Sequence, residues 1–160
     1  MNEPPAILFV CLGNICRSPL AEAAMRAAAE REKLSLHVES AGLGRYHIGF
    51  PPDRRAQAVA MRNGIDIGQK RARLVTREDF YRFDHVVGLD TENLAGLRRF
   101  APADSTAKVS LLLDHVSGRE GQSVADPYYD QDAAFDTAWR DAVAGAEALV
   151  AELKGKAADQ

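Results

Sequence analysis

The 160-residue chain holds only two cysteines, Cys11 and Cys16, along with four histidines and one tryptophan. Two cysteines in one short segment cannot build a disulfide framework. No second Cys or His pair completes a zinc set, so no metal and no cofactor is expected. Long apolar runs are missing as well. The run behind Met1-Asn-Glu-Pro-Pro5 covers only Ala6 to Val10, with no basic segment before it, which excludes a signal peptide and a membrane span. There is no basic excess: 20 basic residues face 23 acidic ones, a formal net charge of -3, so no nucleic-acid footprint is offered. Lys70, Arg71 and Arg73 make a local patch at most and read as a solvated loop. Internal repeats and low-complexity linkers are absent too. What remains is a soluble cytoplasmic chain, 46% hydrophobic, long enough for one core and too short for two. We expect a single domain over 1–160, with flexible tails at 1–5 and 156–160.

What is present is an alternation of apolar runs and helical stretches. Ala6 to Val10 is continuously apolar, as a strand buried on both faces requires. Leu20 to Lys33 is rich in Ala and Glu and reads as helix. Ser35 to Ser40 reads as a second strand. Arg54 to Arg62 is a helix that Asn63-Gly64 stops. Thr76-Arg-Glu-Asp79 has the form of a capped short helix. His85 to Leu89 and Val109 to Leu113 are further strands, with a helix from Thr91 to Phe100 between them. Ala133 to Lys154 forms a long last helix. The pattern predicts an α/β fold, a parallel four-stranded sheet with helices on both faces. Ligands of such folds sit beyond the carboxyl ends of the strands, where Cys11 lies.

The segment Val10-Cys-Leu-Gly-Asn-Ile-Cys-Arg-Ser-Pro19 carries the chemistry. A cysteine at a strand end, a tight loop, and an Arg-Ser pair opening a helix make an anion pocket with a nucleophile at its floor. The helix N-terminus offers unpaired N–H groups and a positive dipole end. Arg17 adds a planar cationic fork suited to phosphate. These surroundings favour the thiolate of Cys11. With five residues between Cys11 and Arg17, the loop can curl so that the N–H groups of Leu12, Gly13, Asn14, Ile15 and Cys16 face phosphate oxygens. The sulfur then lies in line with phosphorus. Gly13 and Asn14 are expected to take left-handed backbone angles. Ser18 puts a hydroxyl beside the thiolate, where it can stabilise sulfur as a leaving group.

This string resembles the phosphate-binding loop of the low-molecular-weight protein tyrosine phosphatases, and the resemblance runs over nearly the whole chain. Glu39-Ser-Ala-Gly42 is similar to the family's second-strand end, and Gly49-Phe-Pro-Pro-Asp53 to its variable substrate loop. Phe83 to Asn93 resembles its third strand and following helix, and Asp126-Pro-Tyr-Tyr129 its general-acid loop. The resemblance implies the phosphotyrosine phosphatase I-like fold, a Rossmann-type three-layer sandwich. It also implies hydrolysis of phosphotyrosine through a cysteinyl-phosphate. On spacing alone Asp126 is an Asp-Pro turn residue; the resemblance makes it the general acid and base. Likewise it implies that Tyr46 and Tyr128 line the substrate ring, with Tyr129 beside them. Asp90 would fix Arg17, although it also reads as the cap of the helix from Thr91. Ser40 would hydrogen-bond Asn14. Cys16 would pair reversibly with Cys11 against over-oxidation.

One departure is Lys70, where relatives commonly carry histidine and where a hydrogen bond to a neighbouring loop is lost. His37, His47, His85 and His115 match no catalytic position and read as surface or strand residues. Expected partners are phosphotyrosine proteins, with a cognate tyrosine kinase a candidate, and the chain is a monomer or weak dimer. Two related activities compete. A thiol-coupled arsenate reductase would need later cysteines for an internal relay, and none follows Cys16. A phosphoarginine phosphatase tends to carry Thr where this chain has Ile15.

Overall fold

A computed structural model describes residues 3–158. Four strands, β1 (Ala6–Cys11), β2 (His37–Gly42), β3 (His85–Gly88) and β4 (Lys108–Leu111), form one parallel sheet in the order β2-β1-β3-β4. The helices are α1 (Arg17–Arg31), α2 (Arg54–Arg62), α3 (Asp79–Arg82), α4 (Thr91–Phe100) and α5 (Asp132–Ala158), with a 3-10 turn at Leu112–His115. The central strand β1 explains its own sequence. Ile7 and Phe9 pack into the core under α1, α2 and α5, while Leu8 and Val10 face the second core around Phe80, Val86 and Leu97. Alternate side chains thus go to opposite faces, and both faces are dry.

Several boundaries move from their expected places. Helix α1 starts at Arg17 instead of Leu20, because Pro19 falls in the first turn, where its missing N–H costs nothing. Strand β2 runs on to Gly42, since its last residues pair with Val10 and Cys11. The short helix begins at Asp79 rather than Thr76. The Asp79 carboxylate accepts from the Thr76 N–H at 2.8 Å, so the acid half of the capping pattern forms just before the helix. Strand β4 covers Lys108–Leu111 and turns into the 3-10 segment two residues early. Helix α5 continues to Ala158, so 156–158 are helical and not a loose tail. At the other end the Pro5 carbonyl accepts from the His37 N–H at 2.9 Å. The remaining tail residues, 1–2 and 159–160, lie outside the described residues. Among the described residues no helix is long and apolar enough to cross a membrane.

Sheet order places β1 at the crossover, with β2 reached in one direction and β3 then β4 in the other. That is where a doubly wound sheet opens a crevice at its carboxyl edge. The segment after β1 fills this crevice.

Candidate active site

The loop from Leu12 to Cys16 curls between β1 and α1, and Asn14 alone in it adopts a left-handed backbone, with φ 58°. The expected left-handed Gly13 is not seen. Its small size serves packing instead, since a Cβ there would come within 2.9 Å of the His47 ring. Asn14 is buried and held from both sides. Its Oδ1 accepts from the Arg73 N–H at 3.0 Å, and its Nδ2 donates to Ser18 Oγ at 2.8 Å. Ser18 Oγ lies 3.1 Å from Cys11 Sγ and 3.4 Å from the Ala41 carbonyl. A thiolate only accepts, so Asn14 fills the acceptor side of the hydroxyl and leaves its proton for sulfur. Cys11 ends β1 and Arg17 opens α1, so the first N–H groups of that helix, which lack intrahelical partners, adjoin the loop.

Arg17 is 4% exposed and built into three contacts. Its Nη1 donates to Asp90 Oδ2 at 2.6 Å and to the Val124 carbonyl at 2.9 Å, and its Nη2 lies 3.6 Å from Asp126 Oδ2. Burial works against its charge, but Cys11, Asp90 and Asp126 more than offset that and hold the guanidinium above the ordinary arginine range. Asp90 does both things proposed for it. One carboxylate oxygen takes Arg17, and the other accepts from the Asn93 N–H at 2.6 Å and caps α4.

Above the loop opens a pocket of about 520 Å³. Cys11, Arg17 and Asp126 all line it, as do Leu12, Ile15 and Cys16 of the loop. Its upper walls are Tyr46, Tyr128 and Tyr129. Tyr128 and Tyr129 meet edge to face at 4.8 Å. A planar aryl group with a phosphate at its tip suits this lining: tyrosine rings around it, and the loop with Cys11 and Arg17 at its base. The sequence model for the low molecular weight phosphotyrosine protein phosphatases matches residues 6–159. The chain belongs to that family.

Low molecular weight phosphotyrosine protein phosphatase 2 of Drosophila melanogaster is 42% identical over 142 residues, covering 87% of this chain and 86% of that one. The crystal structure of YfkJ from Bacillus subtilis superposes with a TM-score of 0.89 at 37% identity, covering 97% of this chain and 98% of the other. A Drosophila arginine phosphatase superposes with a TM-score of 0.87 at 30% identity, covering 92% of this chain and 97% of that one. The phosphatase fold is therefore shared across relatives whose names give different phosphorylated residues.

Some site residues fall elsewhere than the sequence suggested. Ser40 does not bond Asn14. Its hydroxyl donates to Glu22 Oε1 at 2.7 Å, because the Asn14 carbonyl oxygen is taken by the Arg73 amide. Lys70 makes an ion pair with that same buried Glu22, which Arg26 also reaches at 2.8 Å. So the lysine does make a cross-loop contact, bridging 70 to α1. His47, read as a surface histidine, lines the pocket and sets its ring 5.9 Å from Tyr128. Its neighbour Tyr46 was the only signal for it. Cys16 is buried and free, as is Cys11. Burial pushes the Cys16 thiol far up, and the charges of Asp53, Cys11 and Asp126 push it further.

The end of β2 bears on the phosphatase loop at one point. A Cβ on Gly42 would lie 2.9 Å from the Leu12 carbonyl oxygen and 3.2 Å from the Asn14 amide, both rigid backbone. Gly42→Ala must therefore push the loop outward. Inorganic phosphate, measured as a competitive inhibitor, should bind about tenfold more weakly, since sub-ångström displacement of several N–H donors is costly. Unchanged inhibition would show that the loop yields freely there.

Proposed function

We propose that this phosphatase acts on phosphotyrosine in proteins through a cysteinyl-phosphate intermediate. The observation that carries the reading is the shared pocket: Cys11, Arg17 and Asp126 under three tyrosine rings. In the first step the Cys11 thiolate attacks phosphorus opposite the phenolic oxygen. The S–P bond forms as the P–O bond breaks, and Asp126 gives its proton to the departing phenolate. Arg17 and the loop N–H groups carry the charge of the equatorial oxygens. In the second step Asp126 takes a proton from water as that water attacks phosphorus. The S–P bond breaks, Ser18 donates to the leaving thiolate, and inorganic phosphate departs. Tyr46 and Tyr128 flank the ring of the substrate, and Tyr129, 92% exposed, meets the surrounding polypeptide. Free thiols at the centre of the site suit the reducing cytoplasm. With Cys16 held protonated, a protective Cys11–Cys16 disulfide would begin with oxidation of Cys11. Pull-down with a combined Cys11→Ser, Asp126→Ala variant would identify substrates and any partner kinase.

Asp126→Ala tests the acid. On phenyl phosphate or a phosphotyrosine peptide kcat/KM should fall about 10²-fold or more, the usual worth of a placed general acid. On 2,4-dinitrophenyl phosphate, whose phenolate leaves without a proton, the fall in kcat/KM should be small. An equal loss on both esters removes Asp126 from the role. A second reading, phosphoarginine hydrolysis, draws on the likeness to the Drosophila arginine phosphatase. Against it stands Ile15, buried at the pocket and without a hydroxyl to meet a guanidinium. Paired assays of phosphotyrosine and phosphoarginine peptides decide between them, and we expect the former to be the better substrate.

A further inference from the structure

Arg55, the second residue of α2, does not line the phosphate pocket, yet it reaches both Asp53 and the loop that carries Asp126. Its guanidinium donates from Nη2 to the Tyr128 carbonyl and from Nη1 to the Asp130 carbonyl, each at 2.9 Å. Nε and Nη2 also grip the Asp53 carboxylate at 3.0 and 3.1 Å. The guanidinium carbon stands 4.4 Å from the centre of the buried Phe135 ring and 5.9 Å from that of Tyr128. So the cation is fixed by a carboxylate on one side and an aromatic face on another, and its remaining donors point at two backbone carbonyls.

Those carbonyls matter because residues 122–131 form neither helix nor strand. The loop is tied to the rest of the fold on both sides of Asp126, at its start also through Ser123 Oγ, which accepts from the Thr91 N–H at 3.1 Å. Before Asp126, the Val124 N–H bonds the Leu89 carbonyl and the Val124 carbonyl accepts from Arg17. After Asp126, the tie is Arg55. Between the ties, the Tyr128 N–H donates to Asp126 Oδ1 at 3.1 Å, which orients the carboxylate and leaves Oδ2 toward Arg17. The N–H that aims Asp126 and the carbonyl that Arg55 holds belong to one residue, Tyr128. Asp53 completes the link, because its own N–H donates to the Ile15 carbonyl of the phosphate loop at 2.8 Å. One helix start therefore grips both the loop of the nucleophile and the loop of the acid. Asp53 is held in the ionised form this needs: burial would raise its carboxyl, but hydrogen bonds from Arg55 outweigh that and keep it below the usual range.

We propose that Arg55 is a positioning residue for the protonation step, holding the Asp126 loop at the separation from the phosphate loop that sets the acid on the leaving oxygen. The proposal rests on Asp126 being that acid. It predicts a selective defect, not a general one. Arg55→Met keeps an apolar stem against Phe135 but removes every donor. Its kcat/KM on phenyl phosphate should fall about tenfold, part of the full worth of an acid, and on 2,4-dinitrophenyl phosphate less than about twofold. Inhibition by inorganic phosphate should not change, because the phosphate loop keeps its own hydrogen bonds. In an Asp126→Ala background, Arg55→Met should add no further leaving-group dependence, since both changes remove one step.

A loss of equal size on both esters, or no loss, overturns the proposal. If Asp126→Ala itself shows no leaving-group dependence, the acid assignment fails first and the positioning role falls with it. If Asp126→Ala shows it and Arg55→Met does not, only the positioning role fails. Should Arg55→Met not unfold cooperatively, Arg55→Lys decides. Lysine keeps the charge but offers a point donor in place of the fork, so the same split should appear at about threefold. Wild-type kcat/KM for Arg55→Lys on both esters then overturns the proposal.

Discussion

Cys11→Ser should abolish turnover while leaving phosphate binding almost intact. Cys11 Sγ is the nucleophile of the proposed mechanism, and a serine hydroxyl in its place keeps its proton at neutral pH. The hydrogen-bond partner of Cys11 Sγ is Ser18 Oγ, itself an alcohol and no base. Turnover of p-nitrophenyl phosphate should drop by about 10⁴-fold or more, the scale on which loss of an activated nucleophile is felt. Binding is a different matter. Arg17, the loop N–H groups and the start of α1 all remain, and oxygen for sulfur is a small change in volume. Equilibrium binding of inorganic phosphate should thus stay within about threefold of wild type, because the donors that supply it are untouched. Measurable turnover well above background would sink the covalent mechanism. Lost phosphate binding would instead mean that the thiolate shapes the loop.

How legible was this site in the sequence? The nucleophile loop was readable because its parts are adjacent: strand, curl and helix start follow one another, and their spacing alone implies an anion pocket. β1 was readable because both of its faces are buried, so its apolar run is unbroken. The contacts made at a distance were not. Arg73 holds Asn14 across 59 positions, and it does so with its backbone amide, which no residue type announces. Lys70 reaches Glu22 across 48 positions, so the pair is invisible until the segment after α2 lies against α1. Ser40 was paired with Asn14 by resemblance, whereas the fold gives its hydroxyl to Glu22 and the Asn14 oxygen to the Arg73 amide. Asp126 had only an Asp-Pro turn to mark it, and the resemblance to known phosphatases supplied the role. Arg55 had no mark at all. It looked like one of two arginines at a helix start, and only the fold brings the carbonyls of 128 and 130 to it. Local order in a sequence shows the groups that do the chemistry, whereas the groups that hold them in register are assembled by topology.

Arg17→Lys carries the second large effect, and its signature differs from that of the acid. The arginine does two jobs with one planar group. Nη1 is spent on Asp90 and the Val124 carbonyl, which anchors the group from behind. That leaves the other edge of the fork toward the pocket, where Nη2 lies near Asp126 and faces incoming phosphate oxygens. A lysine ammonium is a point charge on a thinner stem. It can answer Asp90 or the phosphate, and it cannot hold both in one plane. Because the lost interaction is with equatorial oxygens, whose charge is the same whatever alcohol departs, the defect should not depend on the leaving group. We expect kcat/KM to fall by about 10²- to 10³-fold on phenyl and on 2,4-dinitrophenyl phosphate alike, as when one preorganised donor is removed from a charged transition state. Stability should fall too, by about 1–3 kcal/mol, since the Val124 carbonyl loses a buried donor and Asp90 part of its counter-ion. A denaturation midpoint measured beside the kinetics separates the two losses. Near wild-type rates with both esters would show that charge alone suffices and that the fork is there to hold the 124–126 loop, which would transfer the weight of catalysis from Arg17 to the N–H groups of the loop.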